Sequence, residues 1–232
     1  LYIDFLHRGE VTDYIRELNL ENAIAKVEYS CGGVKYRRSI FASHPADCIV
    51  MCIEADKPGA ISLEARFSRP ERAYNGVDRI AGDTIVMHGD LGKHGYDFAM
   101  ALRVVSDGGS VRQLGEYIVV ENADRVWLYL TADSTYHCKD ELGRLLAENI
   151  SEEYESDKCG AVWESEIALG LLKSRIGDVL DAALNKGFDE LLCEHIRDYE
   201  ELFGRVKFSL NESGEEIEFI TTDKLLADAK EG

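Results

Sequence analysis

Polar and apolar positions alternate with a period of two over the first half of the chain. Ala23 to Ser30 places Ile24, Lys26, Glu28 and Ser30 on one side and Ala25, Val27 and Tyr29 on the other. Gly32-Gly33 supplies the positive φ angles of a tight hairpin, and Val34 to Ser43 returns as the partner strand. With Asp13 to Ala23 ahead of them, these segments read as one antiparallel passage. Asp47 to Ala55 is apolar on both faces (Cys48, Ile49, Val50, Met51, Cys52, Ile53), the mark of a strand covered on both sides. Asp56-Lys57-Pro58-Gly59 is a turn, and Ala60 to Phe67 follows with Ile61, Leu63, Ala65 and Phe67 in register. Beyond a looser stretch, Ser68 to Gly82, four further strands are predicted: Thr84 to Met87, Tyr96 to Val105, Ser110 to Val120 and Arg125 to Thr131.

After Tyr136 the period changes to about 3.6. Leu169, Leu172, Ile176, Val179, Leu180, Ala183 and Leu184 form a helical stripe that stops at a glycine cap, Gly187. A second helix starts near Asp189 and carries Leu191, Leu192, His195, Ile196, Tyr199, Leu202 and Phe203 to Gly204. Val206 to Leu210 alternates again, and Thr222 is an N-cap for a last helix, Asp223 to Lys230. Between the two regimes, Glu141 to Tyr154 is read as helix and Ser156 to Gly160 as loop. The predicted fold is mainly β: an antiparallel β-sandwich over residues 1–137 followed by a short α-helical linker. Residues 138–168 form an insertion or connection, 169–205 the linker, and 206–232 a returning strand and the start of a helix.

Composition narrows the classes of function. The 232 residues are 45% hydrophobic and 30% charged, as in a globular protein with a sizeable core. A net charge of -18 repels a phosphate backbone, which argues against nucleic acid as a partner. Most of the acidic excess falls after residue 138, and it reads as a solvated face or, alternatively, as a surface for a cationic partner. No apolar run is long enough for a membrane span, so no membrane partner is expected. The chain opens on Leu1-Tyr2-Ile3-Asp4-Phe5, a strand-like alternation without an initiator Met, as expected of a cut inside a larger protein. Cys31, Cys48, Cys52, Cys138, Cys159 and Cys193 show no Cys-x-x-Cys spacing. They read as reduced structural thiols and favour a cytoplasmic location, with export of a parent protein left open.

Four phrases carry a family accent. They are Tyr14-Ile15-Arg16-Glu17-Leu18-Asn19-Leu20-Glu21-Asn22-Ala23, and Gly33-Val34-x-Tyr36-x-Arg38 with Phe41-Ala42-Ser43-x-Pro45. Next come Gly108-Gly109-x-Val111 with Ala123-Asp124-Arg125-Val126 and Thr131-Ala132-x-Ser134-x-Tyr136. The last is Gly187-Phe188-x-x-Leu191 with His195-x-x-Asp198-Tyr199-x-x-Leu202-Phe203-x-Arg205-Val206. In this order they resemble the N-terminal β-sandwich region and helical linker of glycoside hydrolase family 95, the α-L-fucosidase type, which includes some α-galactosidases. The resemblance implies a super-sandwich whose first part precedes Leu1, and a parent of bacterial type acting on α-linked fucose or related galactose residues. It also implies a catalytic helical barrel of the same polypeptide as partner, following residue 230. Such enzymes invert the anomeric centre with a carboxylic acid on one side of the sugar and a water-activating base on the other. The positions that match those groups lie past Gly232, so no catalytic residue is assigned in this chain and its role is architectural. No cofactor is implied.

The remaining chemistry is thin. Glu164 with Glu166, or Glu152 with Glu153, imitates a glycosidase pair but reads as solvated charge. His7, His44, His88, His94, His137 and His195 lack metal-ligand spacing, so no metal site is expected. His137 and Cys138, adjacent in sequence, are read as pointing to opposite faces of a strand. His195 lies on the apolar stripe, either as a satisfied core histidine or as a hydrogen-bonding group where its helix meets the sandwich. Gly32-Gly33 and Gly108-Gly109 precede no helix, so they are turns and not phosphate cradles. Tyr74, Tyr96, Tyr117, Trp127, Tyr129 and Trp163 are the aromatics available to a sugar platform. Trp127 and Tyr129 share a strand face and belong to the core or the space between sheets, which leaves Tyr74 and Trp163 as candidate sugar contacts. The alternative function is therefore a stand-alone carbohydrate-binding module, with an interaction module as a third reading.

Overall fold

The computed structural model describes residues 1–69, 74–91, 95–150, 160–204, 207–210 and 217–220, without the side chains of 148–150, 160–164 and the last two segments. It is a β-sandwich with a helical layer on one outer face. The smaller sheet orders β1 (Tyr2–Phe5), β6 (Ile61–Arg66), β11 (Tyr117–Ala123) and β10 (Ser110–Leu114). The larger orders β2 (Val11–Asn19), β3 (Ile24–Cys31), β4 (Val34–Ser43), β5 (Cys48–Ala55), β12 (Arg125–Ser134), β9 (Asp97–Asp107), β8 (Thr84–Asp90) and β7 (Gly76–Ala81). All pairings are antiparallel. β12, the last strand to enter, fills the centre of the eight-stranded sheet, bonded to β5 from Arg125 to Leu130 and to β9 along its whole length.

Alternation along the strands sorts side chains into two cores. Between the sheets lie Tyr29, Tyr36, Ile53, Leu63, Leu102, Val104, Ile118, Val126 and Leu128, among others. On the opposite face of the large sheet, Ile24, Phe41, Cys48, Val50, Val86, Ala99, Ala101 and Tyr129 meet helix α2 (Gly160–Gly204). The helix contributes Leu171, Leu172, Ile176, Leu180, Ala183 and Leu191. This double coverage explains why β5 is apolar at successive positions: Val50 faces the helix and Ile53 the sandwich core.

The sandwich, the helical addition and the main strands answer to the sequence pattern, with local corrections. Gly32 and Gly33 both take positive φ at the β3–β4 turn, as the hairpin requires. Ser110 to Val120 is two strands, divided at a turn where Gln113 Nε2 donates to the Gly115 carbonyl at 3.0 Å. β12 ends at Ser134, so His137 and Cys138 stand in a turn rather than on a strand, and the two side chains diverge to exposed and buried positions. Of the two places expected for Trp127 and Tyr129, the structure selects the core, on the side facing α2. Helix α1 (Lys139–Ile150) occupies part of the expected insertion. α2 begins at Gly160, earlier than the predicted stripe, and the predicted cap at Gly187 is its one residue with non-helical angles (φ 75°, ψ 169°). Two limbs therefore meet at Gly187, which any L side chain would strain. The strand predicted at Val206 to Leu210 appears as β13 (Lys207–Leu210), paired with β14 (Ile217–Ile220) and with neither sandwich sheet. The helix expected at Asp223 to Lys230 lies outside the described residues. No described helix is long and apolar enough to cross a membrane.

Cys31, Cys48, Cys52 and Cys138 are free and buried, and Cys193 is free and exposed. Burial pushes the Cys48 thiol up to about 11 and the Cys52 thiol up to about 12, far from the thiolate that reacts. Alkylation of the native protein at neutral pH, read cysteine by cysteine by mass spectrometry, is expected to modify Cys193 while sparing Cys48 and Cys52. Modification of all three at equal rates contradicts this packing. The second test is Leu172→Ala. It empties a fully buried position under α2 and is expected to cost about 2–5 kcal/mol in urea unfolding; a loss below about 1 kcal/mol means that the helix layer contributes little.

Candidate functional site

The richest side-chain chemistry lies where α2 crosses the large sheet. Its N-terminal limb presents Lys173, Arg175 and Asp181 to acids and bases that project from strand faces. Lys173 Nζ approaches Asp78 Oδ2 of β7 at 2.5 Å, and His88 Nε2 of β8 stands 3.1 Å from the same oxygen. Arg175 Nε donates to Asp133 Oδ2 at the end of β12 at 2.7 Å, while its Nη1 reaches Glu141 of α1 at 3.3 Å. His137 Nδ1 lies 3.0 Å from the other Asp133 oxygen. Arg103 of β9 joins Asp83 of the β7–β8 turn to Asp181 of the helix.

The hydrogen bond from Lys173 holds the Asp78 carboxyl below its ordinary value. For Asp133 burial pulls upward, but hydrogen bonds from Arg175, the Ser134 amide and His137 outweigh it, and its carboxyl too is held low. These are groups locked in their charged state, the reverse of what a proton donor needs.

The C-terminal limb is pinned differently. His195 is buried, stacks on Phe41 at 4.9 Å between centroids, and donates from Nε2 to the Asn22 carbonyl at 3.0 Å. A carbonyl only accepts, so the Nε2 proton and hence the tautomer are fixed. Both sequence readings of His195 describe this one geometry: a satisfied core histidine that joins its helix to the β2–β3 turn. Tyr199 adds a second clasp, its hydroxyl donating to the Leu20 carbonyl at 2.9 Å. Across the Gly187 break, Lys186 Nζ binds both carboxylate oxygens of Glu194, at 2.9 and 2.7 Å.

The candidate sugar contacts are not brought together. Tyr74 is partly buried against the sandwich core, and the Trp163 side chain lies outside the described ones. Tyr117 is exposed near Arg66. A pairing the sequence did not suggest is Tyr96 with Tyr136, two exposed rings meeting edge to face at 5.2 Å. They are forty residues apart, Tyr96 just before β9 and Tyr136 just after its neighbour β12, and no local spacing signals their contact. A groove of about 390 Å³ on the large sheet is lined in part by Glu28, Arg37, Glu54 and Asp56. Arg37 holds Glu28 at 2.8 Å, Arg125 holds Glu54 at 2.6 Å, Asp56 accepts from the Lys35 amide at 2.9 Å, and Asp13, also on the lining, accepts from the Thr12 hydroxyl at 3.1 Å. Burial first, and the Asp90 charge second, raise the Asp97 carboxyl above its ordinary value. Glu166 is exposed on α2; Glu152, Glu153 and Arg205 lie outside the described residues, as does the Glu164 side chain. Among the described residues no group of three metal-ligating side chains converges.

Asp133→Asn tests the role of these ion pairs. The low carboxyl value means that the unfolded state binds more protons as pH falls, so this stabilisation is present above the ordinary carboxylate value and lost as pH drops through the depressed one. At about pH 7 the variant is expected to lose about 1–3 kcal/mol, discounted from a fully buried pair because Arg175 is partly exposed. The gap between variant and parent chain should narrow as pH falls below the ordinary carboxylate value in urea titrations. A gap that stays constant with pH refutes the assignment.

Comparison with known proteins follows the same outline. The family model for "Glycosyl hydrolase family 65, N-terminal domain" matches residues 1–139. The "Alpha-L-fucosidase 2" of Arabidopsis thaliana is 31% identical over 238 residues, a span that covers 92% of this chain and 25% of that protein. A solved structure titled "Putative kojibiose phosphorylase from human microbiome" superposes with a TM-score of 0.54 at 12% identity, covering 92% of this chain and 29% of the other. At that identity the likeness is one of fold alone. The chain thus spans about a quarter of the length of the curated relative it matches.

Proposed function

The chain belongs to the glycosyl hydrolase family 65 N-terminal domain family, and from that premise we propose that it is the non-catalytic architectural domain of a family 95-type glycoside hydrolase acting on α-linked fucose or related galactose residues. The observation that carries this reading is the 31% identity to an α-L-fucosidase 2 along nearly the whole chain, helical part included. The side chains described above support the architectural half of it. The acids that reach α2 or line the groove are held in ion pairs or hydrogen bonds, Asp78 and Asp133 below their ordinary values. Inverting hydrolysis needs the opposite arrangement: a protonated acid and a separate base facing each other across a sugar, with room for a water between them. In this reading a helical barrel elsewhere in the polypeptide supplies both groups. The sandwich with its helical layer braces that barrel.

A second reading attaches to one feature, the exposed Tyr96–Tyr136 pair, which offers ring faces to the CH groups of a sugar. With Tyr74 and Trp163 as further candidates, it makes the chain a carbohydrate-binding module. Saturable glycan binding lost in Tyr136→Ala favours that reading.

The deciding assay compares the full-length parent with residues 1–232 on aryl α-L-fucosides and α-galactosides, following the product anomer by NMR. Expected are turnover with inversion by the full-length protein and none by the shorter chain. Turnover by residues 1–232 refutes the architectural role, and a full-length protein inert on both substrates refutes the proposed specificity.

A further inference from the structure

The smaller sheet carries one row of side chains that runs straight across all four of its strands. Tyr2 of β1 stands opposite Arg66 of β6, Arg66 opposite Tyr117 of β11, and Tyr117 opposite Leu114 of β10. Directly opposed residues share a face. Their neighbours in sequence, Ile3, Ala65 and Ile118, belong to the sandwich core, so the row faces outward. Helix α2 lies on the outer face of the other sheet and leaves this one open. Tyr2 is 53% exposed, Tyr117 37% and Leu114 58%. The guanidinium carbon of Arg66 lies 4.8 Å from the centroid of the Tyr2 ring and 5.9 Å from that of Tyr117, so one cation steadies both rings. A guanidinium takes one face of a ring, and the exposure of the two tyrosines leaves the other face to water.

We propose that this row is a binding platform for a neutral, extended oligosaccharide laid across the strands. Spacing, donor chemistry and charge each select that ligand. Tyr2 and Tyr117 are two strands apart, a separation of about 10 Å, which matches the distance between alternate rings of an extended β-linked sugar chain. Each tyrosine then meets the CH face of one sugar, and Arg66 lies beneath the sugar between them as a donor to its oxygens. Leu114 prolongs the apolar strip by one strand. The adjacent row on the same face holds Asp4 and Glu64, directly opposed on β1 and β6, and Asp4 Oδ2 is 3.9 Å from Arg66 Nε. These carboxylates accept from sugar hydroxyls and repel a carboxylate or sulfate on the ligand, as does the net charge of -18. The platform lies on a different sheet from the Tyr96–Tyr136 pair. Its readout is binding, so it stands or falls independently of the hydrolysis proposed above.

Tyrosine nitration by tetranitromethane in the full-length parent, read peptide by peptide by mass spectrometry, tests this with an internal reference. Cellohexaose, mannohexaose and xylohexaose serve as extended neutral probes, maltohexaose as a coiled one and trigalacturonate as an anionic one. At least one extended probe is expected to slow nitration of Tyr2 and Tyr117 while leaving Tyr96 and Tyr136, also exposed, at their free rates. Tyr2→Ala and Tyr117→Ala, both at exposed positions, are each expected to weaken that probe about tenfold in calorimetric titration. No protection by any extended probe overturns the proposal, as does protection of all four tyrosines alike or of Tyr96 and Tyr136 instead. Equal protection by trigalacturonate or maltohexaose overturns the ligand class. Tyr2 and Tyr117 that resist nitration without any sugar overturn the platform as well: recovery on dilution then assigns the face to a second copy, and resistance at every dilution assigns it to the rest of the polypeptide. The nitration arm uses the unmutated protein, so it decides the matter even where a variant folds poorly.

Discussion

The structure depends on one packing interaction, the burial of the apolar stripe of α2 against the outer face of the eight-stranded sheet. An antiparallel sheet in a sandwich ordinarily turns one face to its partner sheet and the other to water, so its strands alternate. Here the central strands are apolar on both faces because both are covered. Phe41, Cys48, Val50 and Tyr129 have a place only if Leu172, Ile176, Leu180 and Leu191 lie over them. Without the helix, these side chains form an exposed apolar sheet face. The helical limbs are thus a third layer of the domain and not a tether leading away from it.

Charge follows from that layering. A helix that crosses a sheet brings its charged groups within reach of those on the strands: Lys173 and Arg175 of α2 meet Asp78 and Asp133, and Asp181 of α2 meets Arg103 of β9. The pairs are partly exposed, so each contributes modestly. Their collective effect is on register: Asp78, Asp133 and Asp181 fix where along the sheet the helix sits. The C-terminal limb uses an imidazole and a phenol hydroxyl instead, His195 and Tyr199, on the backbone of a turn whose strand would otherwise be a loose edge.

Most of this fold was legible in the chain because period-two alternation and glycine-bearing turns are local signals. The change to a 3.6 period at the linker and the break at Gly187 were readable for the same reason. What could not be read was long-range. The insertion of β12 between β5 and β9 depends on pairing across the sheet, so the sequence left open whether Trp127 and Tyr129 lie in the core or between the sheets, and only the fold places them in the core under the helix. The β10–β11 turn was hidden because apolar residues continue through it. The candidate sugar contacts were chosen for lying in loose segments, a criterion blind to the packing that half-buries Tyr74. Tyr96 and Tyr136 meet only through the tertiary fold. The functional accent lay in scattered phrases such as Tyr14 to Ala23 and His195 to Phe203, and these turn out to flank the same junction between the β2–β3 turn and the end of α2.

The central claim is that sandwich and helix form one cooperative body and not a sandwich with a mobile attachment. Native-state hydrogen exchange in increasing denaturant measures this directly, by comparing the opening free energy of amides in α2 near Leu172 and Ile176 with those of β12 near Val126 and Leu128. The account predicts that both sets merge into the same global unfolding isotherm. An α2 that opens several kcal/mol below β12 contradicts it, because the outer face of the sheet would then hold its structure without the helix.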